Sequence, residues 1–202
     1  MSRWPVHKVA ELANVTTGIP ARVKDDAPSF AGEEYRVVSV GALQEGGIAS
    51  VETLPLAHLD LTDAERARAM LRRGDVLLSA RGAALRIALV GAEHTGAVAN
   101  HTILVLHPLE HISGAALYAA LRLPRVVHEL EQLGRASTAT RAWRPVDVER
   151  IALPVPPLPV QQKVEELLDA EGRHQAAARR ALALRSEAVW SLLGEVLEGE
   201  TP

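Results

Sequence analysis

With 202 residues, 48% of them hydrophobic, the chain has material for one sizeable core plus an appendage. It contains no cysteine, which excludes disulfide frameworks, thiolate metal sites and Cys-His nucleophiles. Its start, Met1-Ser2-Arg3-Trp4-Pro5, lacks an apolar signal core, and no apolar run reaches membrane-spanning length, so a cytoplasmic protein with no membrane partner is expected.

The net charge of -3 conceals a segregation of charge. Between Arg66 and Gly91 six arginines (66, 68, 72, 73, 81, 86) face one acid, Asp75, for a local +5. Between Arg122 and Arg144 five arginines face Glu129 and Glu131, for +3. Residues 159 to 202 hold eight acids and five bases, or -3. The basic surplus therefore lies in the first three quarters of the chain, either on solvated helix faces or on a surface for an anionic partner.

In chain order, the mixed apolar period of Trp4 to Ala13 predicts a short strand and a turn of helix. Gly18, Pro20 and Asp25 to Pro28 mark a loop. Tyr35 to Val40 is rich in β-branched residues and reads as a strand, with Gly46-Gly47 as a turn before a second strand over Ile48 to Leu54. Thr62-Asp63-Ala64-Glu65 has the spacing of a capping box and predicts a helix to about Arg73, closed by Gly74. Val76 to Ala80 is a short apolar run of buried-strand type, followed by an Arg81-Gly82 turn, and Ile87 to Val90 and Thr102 to Leu106 repeat the strand signal. Ser113 should cap a helix over Gly114 to Leu123, and Pro124 should open another that Gly134 closes. Arg135 to Arg144 is small, polar and basic, an ordered loop in which Trp143 either packs in the core or stacks on a ligand. Pro145 to Glu149 allows one helical turn, and Ile151 to Val155 one more strand.

Pro154, Pro156, Pro157 and Pro159 then form a stiff extended joint. Beyond it Glu, Ala, Arg and Leu dominate, with steps of three and four through 164, 168, 171, 175, 178, 182, 185, 189, 192 and 196. This heptad-like stripe is apolar except at Glu171, Gln175 and Arg185. A helix of about forty residues would span roughly 60 Å, so its far end needs another surface, either a partner helix or a fold back onto its own domain. The fold class expected is α+β: a globular domain over residues 1 to 158 with a mixed or antiparallel sheet and short helices, then a long coiled-coil-type helix over 159 to 202.

Catalytic signatures are sparse. The sequence has no Walker-type phosphate loop, no Gly-x-Gly-x-x-Gly and no Gly-x-Ser-x-Gly elbow. His94, His101, His107 and His111 cluster in sequence without a carboxylate at metal-ligand spacing, and read as structural. Gln161-Gln162-Lys163 with Asp147 upstream is a nuclease-like fragment lacking a second acid. No catalytic residue, cofactor or metal is therefore assigned.

Two longer stretches and a weaker third resemble a known family. Leu71-Arg72-Arg73-Gly74-Asp75-Val76-Leu77-Leu78-Ser79-Ala80-Arg81-Gly82 resembles the Leu-x-x-Gly-Asp-(Val/Ile)-Leu-x-(Ser/Thr)-x-x-Gly segment of target recognition domains. Ile151 to Gln162 is similar to the Ile-Pro-Leu-Pro-Pro-Leu-x-Glu-Gln segment that closes such a domain, departing from it at Val160, where the family commonly has Glu. Trp4, Val9, Leu12 and Gly18 match the family's opening more weakly. These are features of the specificity subunits of type I restriction-modification systems, components of phage defence. The resemblance implies a non-catalytic DNA reader that directs an adenine methyltransferase subunit, and in complete systems a restriction subunit, to a bipartite site. With one such domain and one helix where the family has two of each, a half-size subunit is expected, pairing with a second copy through Val164, Leu168, Ala178, Leu182, Val189, Leu192 and Val196. From local charge, the residues expected to contact double-stranded DNA are Arg81, Arg86, Arg135, Arg141 and Arg144, with Ser137, Thr138 and Thr140 as phosphate partners. A stand-alone DNA-binding regulator and the detached reader of a fused restriction-methylation enzyme are the rival readings.

Overall fold

The computed structural model describes residues 4–20, 32–44, 47–135 and 141–198, with Arg135, Arg141, Glu195 and Glu198 described by backbone alone. It divides into two units, 1–161 and 162–202.

The first unit begins with strand β1 (Val6–Lys8), a helical turn α1 (Val9–Leu12) and strand β2 (Ala13–Thr17), the short strand and turn expected of Trp4 to Ala13. Strand β3 (Glu33–Val38) follows, then β4 (Leu43–Gln44) and β5 (Gly47–Ile48), which pair antiparallel. The second strand expected over Ile48 to Leu54 does not form. A 3-10 turn over Val51–Thr53 occupies it, and the partner of β3 is instead β6 (Leu56–Leu59), in the register Tyr35 to Ala57. Leu54 is buried and Pro55 accepts from the Val37 amide, so the chain bends to bury Leu54 before pairing resumes.

Helix α2 (Asp63–Ala69) starts at the predicted capping box: Thr62 accepts from the Glu65 amide and the Glu65 carboxylate accepts from the Thr62 amide. It stops four residues short of Arg73. Met70 turns extended to bridge Val98, and buried Leu71 donates its amide to Ala97 and accepts from Gly96. A partner about 26 residues downstream outcompetes continued helix. Gly74 consequently closes no helix. Its φ of +89° serves a tight turn in which the Asp75 carboxylate accepts from the Arg72 amide at 2.7 Å.

That turn feeds β7 (Val76–Ser79), followed by β8 (Arg81–Gly82), β9 (Ile87–Leu89), β10 (Val98–Ala99) and β11 (Ile103–Pro108). Strands β2, β11, β7 and β9 form a four-stranded antiparallel sheet in that order. Strands β10, β3 and β6 form a second, with β10 parallel to β3. All four residues of β7 are buried, as a near-continuous apolar strand requires. Leu77, Ile103 and Val105 enter a core with Val38, Leu43, Leu54, Leu71 and Val90. By strand alternation Val76, Leu78, Leu104 and Leu106 face the other way. A smaller core of Ile19, Tyr35, Leu61, Ala69 and Val98 lies beside the second sheet.

Ser113 accepts from the Ala116 amide and caps α3 (Gly114–Leu121) as expected. Helix α4 (Pro124–Arg135) then runs through Gly134 rather than ending there. A Cβ on Gly134 would stand 2.5 Å from the Trp143 ring, so this glycine is required for close approach and not for helix termination. Strand β12 (Arg141–Ala142), helix α5 (Pro145–Glu149) and strand β13 (Ala152–Pro154) complete the unit, β13 pairing with β1. The whole is α+β, as expected.

Helix α6 (Leu158–Glu198) is 41 residues long. In its first turn, within the first unit, buried Gln161 accepts from the Ser113 amide at 2.7 Å and donates to the carbonyls of Pro156 and His111. In the second unit Val164 and Leu168 are half-buried, while Ala178, Leu182, Val189, Leu192 and Val196 are exposed. The apolar surface widens towards its end, where Trp190, Leu193 and Leu197 are exposed beside the stripe.

Candidate nucleic-acid interface

The candidate surface is built on the connection between β7 and β9. The Ser79 backbone amide donates to the Arg86 carbonyl at 2.9 Å, and its hydroxyl accepts from the Arg86 amide at 3.0 Å. One serine thus closes the loop that carries Arg81 and Arg86. Instead of a free turn, Arg81-Gly82 forms a two-residue ladder with β12, pairing Arg81 with Ala142 and Gly82 with Arg141. Long-range backbone pairing brings together two arginine positions sixty residues apart.

Trp143 anchors this ladder. It is buried, its backbone amide donates to Ala80, and its indole N–H donates to Leu130 in α4 at 2.7 Å. The packing role is the one the structure supports, and no ring face is left for stacking.

Beside the loop lies an open groove of about 650 Å³, lined by Gln44, Ala84, Leu85, Arg86, Ile87, Arg122 and Val127. The Arg86 guanidinium donates to the Leu43 carbonyl, which orders the side chain over this groove. Arg122, just past α3, places its guanidinium 5.2 Å from the centre of the Tyr118 ring and donates to the Tyr118 hydroxyl. Among the described residues no acid lines the groove. Among the described residues no carboxylate forms an ion pair with Arg81, Arg86 or Arg122. Exposed guanidiniums without acid partners in a chain of net charge -3 constitute a positive surface.

Arg144 differs. It forks onto Asp147 with bonds of 2.8 and 2.9 Å, which raises its own pKa and holds the Asp147 carboxyl below its ordinary range. Its charge is already matched, and the structure places it with the start of α5. Arg135 ends α4 and Arg141 lies in β12, their side chains outside the description, and Ser137, Thr138 and Thr140 lie outside the described residues. Sequence reasoning passed over Arg122 and Gln44. Arg122 had a local signal, since Tyr118 precedes it by the four residues that place side chains together along a helix. Gln44 had none.

A second groove, of about 610 Å³, lies by β2 and is lined in part by Asn14, Thr16, Arg68, Arg72, His107 and Glu149. His107 Nδ1 lies 2.9 Å from the buried Asp75 carboxylate, and His94 Nε2 lies 2.8 Å from the Ala49 carbonyl, so both serve structural bonds. Among the described residues no cluster of His, Asp or Glu is arranged to hold a metal. No described helix is long and apolar enough to cross a membrane.

No family model matches the chain, and no curated protein matches its sequence. Solved structures do. One is a chain from work on complex assembly and conformational transition of the type I restriction-modification system, 18% identical, with a TM-score of 0.59 over 95% of this chain and 44% of the other. Another is the HsdS subunit from Thermoanaerobacter tengcongensis, 19% identical, with a TM-score of 0.52 over 90% of this chain and 40% of the other. The chain spans less than half the length of either. Over that stretch it has the fold of a type I restriction-modification S subunit.

Proposed function

We propose that the chain is a non-catalytic, sequence-specific DNA reader that directs an adenine methyltransferase to a bipartite site, acting as a pair of copies joined through α6. The observation that carries this reading is the β8–β12 ladder. On a fold shared with type I S subunits, it brings the backbone positions of Arg81 and Arg141 into one short ladder, next to a groove that holds Arg86 and Arg122 and has no acid among its described lining residues. Guanidiniums of this kind neutralise phosphates and set register, and those that reach base edges discriminate guanine through paired acceptors.

Pairing of two copies is supported by α6. Leu182, Val189, Leu192 and Val196 are exposed, each 47% or more, on a helix about 60 Å long. Burying that stripe against a second copy relieves its exposure to water, and a two-fold pair of readers suits a site made of two like half-sites. The domain reading assigns residues 1–158 to recognition and 159–202 to pairing and spacing. Adenine methylation mapping with a type I methyltransferase subunit, with and without this chain, tests the reading. Methylation at a split palindromic motif only when the chain is present is expected, and methylation independent of the chain would remove the role.

A further inference from the structure

Resting on the DNA-reading proposal and carrying it to a residue outside the arginines expected from local charge, we infer that Arg122 is a phosphate-contacting residue, held in position by Tyr118. A long cationic side chain on a surface ordinarily loses rotamer freedom when it engages a ligand. Arg122 has surrendered part of that freedom already. Its guanidinium lies over the Tyr118 ring, where the quadrupole attracts a cation, and one of its nitrogens donates to the Tyr118 hydroxyl. Tyr118 is itself 6% exposed and fixed in α3, so the support is rigid. Among the described residues no carboxylate pairs with its other guanidinium donors, and such a planar fork fits a phosphodiester.

The groove supplies a second guanidinium, that of Arg86, likewise ordered by a backbone carbonyl. Its walls suit the same ligand. Leu85, Ile87 and Val127 offer apolar surface for a sugar, and the Gln44 amide adds a neutral polar side chain. Two pre-ordered cations, apolar walls and no acid among the described lining residues form a seat for one sugar-phosphate step of a duplex, adjacent to the Arg81 ladder.

The test measures the affinity of the full chain for a duplex carrying its selected site, and for a scrambled duplex, across a salt series. A phosphate contact contributes about 0.9 to the slope of log affinity against log salt. Arg122→Ala should therefore flatten the slope by about one and weaken both duplexes several-fold alike. Arg122→Lys keeps a charge and should restore the slope but not the full affinity. Tyr118→Phe, which removes only the hydroxyl, should weaken binding in the wild-type background and have no effect beside Arg122→Ala, a coupling that a purely structural tyrosine would not show. Arg122→Ala with unchanged slope, while Arg81→Ala still lowers it, would overturn this inference and leave the DNA reading standing. A wild-type chain with no salt-dependent affinity for any duplex would overturn both.

Discussion

The indole N–H of Trp143 donates to the Leu130 carbonyl at 2.7 Å, fastening the strand that contains Arg141 to the last turns of α4. The bond is buried and the ring fills the space that Gly134 leaves open. Replacing Trp143 with Phe removes this bond to the Leu130 carbonyl and shrinks the ring, and a loss of about 1–3 kcal/mol follows from the two together. Gly134→Ala drives a methyl group into the same ring, at a cost of about 1–3 kcal/mol. Denaturant titration checks both. The surface consequence is also measurable, since either variant should weaken DNA binding with Arg81 and Arg141 still present.

Asp75 ties two distant parts of the chain. Its carboxylate accepts from the Arg72 amide at 2.7 Å and lies 2.9 Å from His107 Nδ1 in β11, with the residue 2% exposed. Asp75→Ala strands the part-buried Arg72 amide and a ring nitrogen and should cost about 2–4 kcal/mol by equilibrium unfolding. Asp75→Asn keeps a carbonyl acceptor and should lose less.

The Arg144–Asp147 pair predicts a pH dependence. Asp147 has its pKa lowered in the folded chain, chiefly by the hydrogen bond from Arg144, so its contribution to stability is complete above the ordinary aspartate value and fades as pH falls through the lowered one. Arg144→Ala should raise the Asp147 pKa, read directly by carboxyl-carbon NMR titration, and reduce the loss of stability over that acid window. Because Arg144 is 73% exposed in its side chain, the change in stability is small. An Asp147 titration unmoved by Arg144→Ala would refute this cause of the shift.

The exposed stripe of α6 predicts self-association. Leu182→Asp combined with Leu192→Asp places charge on the proposed seam, and the mass measured by light scattering should drop from two chains to one without loss of the first unit's fold. A wild-type mass of one chain at micromolar concentration would contradict pairing through this helix.

What was legible in the sequence was local. The capping box at Thr62 and Glu65, the Ser113 cap and the buried run of β7 each follow from a few adjacent residues, and each formed. The end of α2 was not legible, because Met70 and Leu71 are captured by Val98 and Ala97 across the fold. The same holds for the β8–β12 ladder, two residues long on each side with no periodicity of its own, and for Gln44, which reaches the groove only through the β4–β5 hairpin. Charge density singled out the stretch that holds Arg81 and Arg86, but it gave Arg144 the same weight, since a partner three residues away matches a cation without altering the count of arginines nearby.

The central claim is that this chain reads DNA sequence, and selection from a randomised duplex pool with the full chain tests it most directly. The account predicts enrichment of a short motif, repeated in inverted orientation at a fixed spacing set by two paired α6 helices, and loss of that enrichment when Arg81 and Arg86 are replaced by Ala. A pool that remains random after repeated rounds, with the wild-type chain folded and recovered intact, would contradict it.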